Sequence, residues 1–259
     1  MTFEVIFTIS QPLNFLGYAR SKLDQRGVVS SLGSRDVEVL FARDEPVDMA
    51  LAYIPQDMKE VFQEYEDPFL KEWPSIHEDL VQAKKQLQML WDSNCQKVIT
   101  LMEELGFFYS GIIEVFPVMP FFREWPRSNP LSMPAMPWTD KERLTLLIHE
   151  ILHRTTDAHH LYSLWHYLGM MFFMKKVPKG RRFLLQHALI YVASTWIASH
   201  TLKEEFEMPE IKQKTSQREQ FIEMKDFIDS LFILFSSKGE EPDRNVMSLA
   251  EEIAACCSL

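Results

Sequence analysis

Glycine and cysteine are both scarce in this chain of 259 residues. Gly occurs 8 times and Met 14 times, a balance that favours helices over a glycine-rich barrel or sandwich. The three cysteines, Cys95, Cys256 and Cys257, make an odd count with two adjacent members, so no disulfide framework is indicated. A reducing compartment suits this usage, and we expect a cytoplasmic protein.

Positive charge and long apolar runs are also in short supply. With 27 basic against 37 acidic residues the formal net charge is −10, so a phosphate backbone or an anionic lipid surface would be repelled on average. We therefore expect no nucleic-acid partner. The longest apolar segment, 183–198, contains Gln186 and His187 and is shorter than the ~20 residues that a bilayer requires, so it predicts a buried helix and no membrane insertion.

The sequence His149-Glu150-Ile151-Leu152-His153 is the feature that points most directly to a function. Histidines four positions apart on a helix leave the same face, so both imidazoles can bind one tetrahedral metal ion. Glu150 follows about 100° around the helix, where a carboxylate can take a proton from a metal-bound water. The pattern predicts a zinc hydrolase with Glu150 as general base and acid.

Residues around the motif predict an amphipathic helix. Thr139 stands three positions before Glu142, the spacing of a capping box. Glu142 is two turns before His149, so it could also support the metal ligands. The apolar residues that follow have helical spacing and comprise Leu144, Leu147, Ile148, Ile151 and Leu152.

This motif resembles the HExxH signature of the zincin superfamily of zinc metallopeptidases. Uncharged Ile151 and Leu152 match the signature, whereas Arg154 stands where its extended form prefers an uncharged residue. The resemblance covers roughly residues 139–200 and is closest to the gluzincin type. It implies a zincin-like fold, a Zn²⁺ cofactor and a substrate-binding strand ahead of the metal helix, which we expect within 108–125.

A catalytic zinc ion needs a third protein ligand, and the sequence offers several. His187 is the first choice, on a predicted helix where a gluzincin would have a Glu. His159 has the metzincin spacing after His153, but Thr156 stands where that signature requires a Gly to turn the chain. The other candidates, which also suit helix ends, are Asp157, His160, Glu204 and Glu205.

Tyr191 follows His187 by one turn and so lies on the same helix face. The resemblance implies that a Tyr there could stabilise the oxyanion formed from a peptide carbonyl; a packed core tyrosine is the alternative.

His200 is about three and a half turns from His187, too far to share an ion. The Met-rich run 169–174 is predicted to fill the core. The chain has no phosphate-binding glycine loop, nucleophile elbow or CxxC pair.

Hydrophobic periodicity predicts an α+β fold that is mostly helical, with a small N-terminal sheet, the metal helix and a C-terminal helical bundle. The predicted strands are 3–9, 36–43 and 108–116, and the predicted helices are 12–24, 74–105, 159–174, 181–203, 216–236 and 245–257. Six prolines between 117 and 137 predict a stiff connector without ladder donors, or a wall of the substrate cleft. We divide the chain into an α+β part, 1–125, and a helical part, 126–259, within one compact unit.

The sequence thus predicts a zinc metallopeptidase that holds Zn²⁺ with His149, His153 and His187. Its substrate would be a peptide or protein lying along residues 110–118. The main alternative is a catalytically inactive zincin-like domain that binds metal and serves as an interaction or regulatory protein. A helical protein without metal is the second.

Overall fold

The computed structural model describes residues 3–25, 56–120, 127–128, 131–156, 161–207, 224–237 and 245–256. These residues are mostly helical with one small sheet, which confirms the predicted α+β class. The predicted strand 36–43 lies outside the described residues. In chain order the elements are β1 (Phe3–Phe7), α1 (Gln11–Gln25), α2 (Gln56–Glu104), β2 (Gly111–Val118), β3 (Arg127–Ser128), β4 (Leu131–Pro134), α3 (Asp140–Thr155), α4 (Leu164–Met174), α5 (Lys179–Leu202), α6 (Lys225–Ser237) and α7 (Val246–Cys256).

The sheet has the strand order β1-β2-β4-β3. The first three strands are parallel, with Val5 opposite Ile113 and Val115 opposite Leu131. The two-residue strand β3 pairs antiparallel with β4. Parallel neighbours require crossover connections, and α1 and α2 lie in the chain between β1 and β2.

Strand β4 corrects one prediction, because part of the proline-rich segment joins the sheet instead of forming a connector without ladder partners. Pro117 lies opposite Met133, two positions after the last residue of β2 that pairs with β1. At Pro117, β2 therefore has only β4 beside it in the described sheet. The N–H that proline lacks is not needed there for a hydrogen bond to β1. The buried Asn14 side chain extends the end of β2 by accepting a hydrogen bond from Met119 N (2.9 Å) and donating one to the Pro117 carbonyl (3.4 Å).

Helix α2 is longer than predicted, running through both Pro68 and Pro74 instead of beginning at Pro74. Both prolines lie on the exposed side of the helix. A proline has no N–H to donate to the carbonyl one turn before it, and on this side water can hydrate that carbonyl. The opposite side buries Tyr65, Phe69 and Ile76 in a hydrophobic core with residues of α1 and β2. Packing thus overrides the local preference of proline. The helix ends at Glu104, just before the predicted stop at Gly106, which has φ +76°.

The described chain forms two compact units that interleave along the sequence, whereas our predicted division at residue 125 was sequential. One unit, the helical unit, comprises Met1–Thr2, Asn94–Ser110 and Asp140–Leu259. The other, the sheet unit, comprises Phe3–Ser93 and Gly111–Thr139. In the helical unit α3 packs against α5, α5 against α6, and α7 against α4. All residues of the candidate site described below belong to the helical unit.

The Met-rich run on α4 also corrects a prediction, since most of it is exposed and does not fill the core. Phe172 is buried, but Met170, Phe173 and Met174 are 41%, 75% and 64% exposed. Helix α4 buries only one face, formed by Leu164, Trp165, Leu168 and Phe172. None of the helices within the described ranges has the length and apolarity needed to cross a bilayer.

Candidate metal centre

Helix α3 carries the motif, as the sequence predicted. It begins at Asp140, directly after Thr139, and acidic residues in its first turn interact favourably with the helix dipole. Its apolar face, with Leu147, Ile148 and Ile151, is fully buried. Two hydroxyls satisfy carbonyls at its C-terminal end: Thr155 Oγ1 donates to Leu152 O (2.6 Å) and Thr156 Oγ1 to His153 O (2.7 Å). Two local side-chain hydrogen bonds therefore hold the last turn of the helix, which bears His153.

Helix α5 supplies the third histidine. It starts after Pro178, whose fixed φ suits a helix start, and ends at Lys203 in the left-handed conformation. Its interior positions Leu189, Val192 and Ala193 are buried. The packing of α5 against α3 places His187 beside the two histidines of the motif.

The three imidazoles converge through their Nε2 atoms. His149 Nε2 lies 3.2 Å from His153 Nε2 and 3.2 Å from His187 Nε2. One ligand atom of each residue lies within 4.8 Å of the others. Nitrogens bound to one tetrahedral Zn²⁺ at about 2.0–2.1 Å would be about 3.3 Å apart. His149, His153 and His187 therefore lie close enough to bind one metal ion, and among the candidates that the structure describes His187 is the one that the fold brings to the motif.

A purely hydrogen-bonded histidine cluster explains this geometry less well. Each imidazole nitrogen offers one hydrogen or one in-plane lone pair. His149 Nε2 has two nitrogen neighbours at 3.2 Å, and its single lone pair or hydrogen could serve both only through a shared, weaker hydrogen bond. A cation between the three nitrogens would accept all three lone pairs at once.

The histidine pKa values favour the neutral form that metal binding requires. Burial of the ring holds the pKa of His149 well below its usual value, and the neighbouring His153 and His187 lower it further. Burial also lowers the pKa of His187. Neutral imidazoles keep their Nε2 lone pairs free for a metal without first losing a proton.

Glu150 is the most unusual charged residue of the site, because its side chain is only 5% exposed. Burial alone raises its pKa to about 8. No residue within the described part of the chain forms a hydrogen bond or an ion pair with its carboxylate. Uncompensated burial of a carboxylate costs free energy, and groups of this kind concentrate at functional sites.

Tyr191 lies one turn beyond His187 and is partly buried. Burial raises the pKa of its phenol to about 12, so the hydroxyl keeps its proton across the physiological range and can donate a hydrogen bond. Its predicted role toward an oxyanion stays a prediction.

His200 lies apart from the three imidazoles, as expected; it donates from Nδ1 to Trp196 O (2.9 Å) and stacks on the Trp196 ring.

The carboxylate alternatives lie elsewhere. Glu204 is exposed and is 3.7 Å from Lys141 Nζ, while the backbone carbonyl of Glu205 accepts a hydrogen bond from the same ammonium group. The other three candidates, Asp157, His159 and His160, lie outside the described residues. The predicted substrate strand, now β2 at Gly111–Val118, belongs to the sheet unit. Its role in substrate binding also stays a prediction.

Two contacts of the site were not anticipated from the sequence. Phe183, one turn before His187, is 62% exposed, and its ring centroid lies 6.3 Å from that of His187. The i, i+4 spacing from His187 was the signal that could have found it. The second contact is a hydrogen bond from Trp165 Nε1 to Thr155 Oγ1 (2.8 Å) at the end of α3, which no local pattern indicates.

Comparison of the chain with protein-family models, with curated proteins and with solved structures gave no match.

Proposed function

We propose that the protein is a zinc-dependent metallopeptidase of the HExxH type, with a zincin-like arrangement of its helical unit. The observation that carries this proposal is the convergence of His149, His153 and His187 on one point, beside a buried Glu150 that has no hydrogen-bond or ion-pair partner among the described residues. The donor set fits the ion, because three neutral imidazoles leave a tetrahedral zinc one position for water or substrate.

Zn²⁺ held by these histidines would lower the pKa of a bound water toward about 7 and polarise a substrate carbonyl. The Glu150 carboxylate would accept the proton that this water loses as the water oxygen bonds to the carbonyl carbon. When the C–N bond breaks, Glu150 would deliver that proton to the leaving amine nitrogen. Burial raises the pKa of Glu150 to about 8, and a cation held by the neighbouring histidines would favour its ionised, basic form.

Tyr191 would donate a hydrogen bond from its protonated phenol to the carbonyl oxygen as negative charge develops there. Such donors contribute more when they are held in place before the reaction and are partly shielded from water. The position of Tyr191, one turn from a metal ligand on the same helix, supports this role.

The decisive experiment compares the wild type with Glu150→Gln. Protein purified without added zinc is analysed for metal and assayed with a mixture of internally quenched peptides. We expect about one zinc per chain in both proteins. Hydrolysis in Glu150→Gln should fall by a factor of about 10² to 10⁴, because the general base is gone while all three nitrogen ligands remain.

Asp140→Asn is the matched control, since it removes a carboxylate from the first turn of the same helix at an exposed position. It should retain both zinc and activity. Undiminished hydrolysis by Glu150→Gln would exclude the mechanism. A wild type that holds zinc but cleaves no peptide would instead indicate the metal-binding interaction domain, and a wild type without metal would overturn the site itself.

A further inference from the structure

The edge of the candidate metal centre includes an exposed aromatic ring. Phe183 is 62% exposed, and its ring lies against the His187 ring at a centroid distance of 6.3 Å, with 37° between the ring planes. Single exposed apolar side chains are common on protein surfaces and need no explanation. Phe183 differs from them because the residue it contacts belongs to the metal-binding triad.

Helix geometry sets the order of groups along this face. Phe183, His187 and Tyr191 follow each other at intervals of four residues, so they share one face of α5 about 6 Å apart along the helix axis. The row therefore reads apolar ring, metal ligand, hydrogen-bond donor. A substrate carbonyl directed toward the metal and Tyr191 would leave the neighbouring substrate side chain on the side of Phe183.

The chemistry of Phe183 limits what it can recognise. Its ring has no hydrogen-bonding group, so it gains free energy by removing apolar surface from water and not by pairing with charge. The ring is accessible before any substrate binds, because more than half of it is exposed while the three imidazoles beside it are half-buried.

We propose that Phe183 is a specificity-determining residue that selects peptides with a bulky apolar side chain next to the bond that is cleaved. This inference rests on the proposed function, since it assigns the substrate class of the same site. Burial of a Leu side chain against such a ring should favour binding by about tenfold over a Gly at the same place.

Two hydroxamates that share one metal-binding group provide the test. The hydroxamates of N-acetyl-leucine and N-acetyl-glycine are titrated by calorimetry into the zinc-loaded wild type and into Phe183→Ala. We expect the wild type to bind the leucine compound about tenfold more tightly. In Phe183→Ala the ratio should fall to near one, with zinc content and the affinity for the glycine compound unchanged. Phe183→Leu should keep most of the preference.

Phe173→Ala is the matched control, because Phe173 is 75% exposed but lies on α4, which contributes no residue to the triad. It should leave the ratio unchanged. A ratio near one in the wild type, or a tenfold ratio that persists in Phe183→Ala, would overturn the role of Phe183 while leaving the proposed metal site intact. A protein that binds no zinc, or binds zinc but neither hydroxamate, would overturn the proposed function and this inference with it.

Discussion

At the scale of single residues, Glu150 combines a cost in folding free energy with the role of general base that we propose for it. A carboxylate that is 5% exposed, with its pKa raised to about 8 by burial, reduces the stability of the folded chain at neutral pH because the unfolded chain ionises more easily. A Leu or Gln would be easier to accommodate in the same place. The proposed proton transfer would account for a carboxylate at this position.

Tyr191 leads to a prediction at the same scale. We expect Tyr191→Phe to lower kcat by about a hundredfold with little change in KM, because the phenol would act on charge that develops only in the transition state. Zinc content should stay the same. Steady-state kinetics on a single quenched peptide measure both constants, with Tyr167→Phe on α4 as the control. An unchanged kcat would make Tyr191 a packing residue.

At the scale of elements, the end of α3 depends on a buried side-chain hydrogen bond to α4. The Thr155 hydroxyl, 1% exposed, donates to Leu152 O and accepts from Trp165 Nε1 at 2.8 Å. Thr155→Val keeps the shape but leaves the indole N–H without its partner. We expect a loss of about 1–3 kcal/mol in the free energy of unfolding, measured by urea denaturation.

A double-mutant cycle with Trp165→Phe separates this hydrogen bond from packing. In the Trp165→Phe background no N–H is left unsatisfied, so Thr155→Val should cost clearly less than in the wild type. Equal costs in both backgrounds would show that the hydrogen bond contributes nothing measurable. The cavity left by the smaller Phe ring cancels in the cycle, because it is present in both variants of that background.

At the scale of the whole molecule, a bound metal would link α3 to α5 across the 33 residues that separate His153 from His187 in the sequence. Because zinc would bind the folded chain only, we expect zinc at about 100 times its dissociation constant to stabilise the chelator-treated protein by about 2.7 kcal/mol. For a chain of this size the melting temperature should rise by roughly 5–10 °C. Thermal unfolding followed by circular dichroism measures the shift.

His187→Asn should abolish most of this zinc-dependent rise, because it removes the only ligand that α5 contributes to the triad. His200→Asn is the control on the same helix, since His200 is exposed and stacks on Trp196 instead of facing the triad. The zinc-dependent rise should persist in His200→Asn even if its baseline melting temperature changes. A full rise in His187→Asn would exclude His187 as a ligand.

The sequence by itself determined what depends on neighbouring residues. His149 and His153 lie on the same face because of the pitch of one helix, and the ends of α1, α5 and α7 follow from local apolar periodicity. Tertiary structure decided what depends on distant contacts. Only the packing of α5 against α3 singled out His187 over Glu204 and Glu205, and only the one-sided packing of α4 exposed the methionines that periodicity had assigned to the core. Strand β4 became a strand because β2 offered it a parallel partner, which no local propensity encodes.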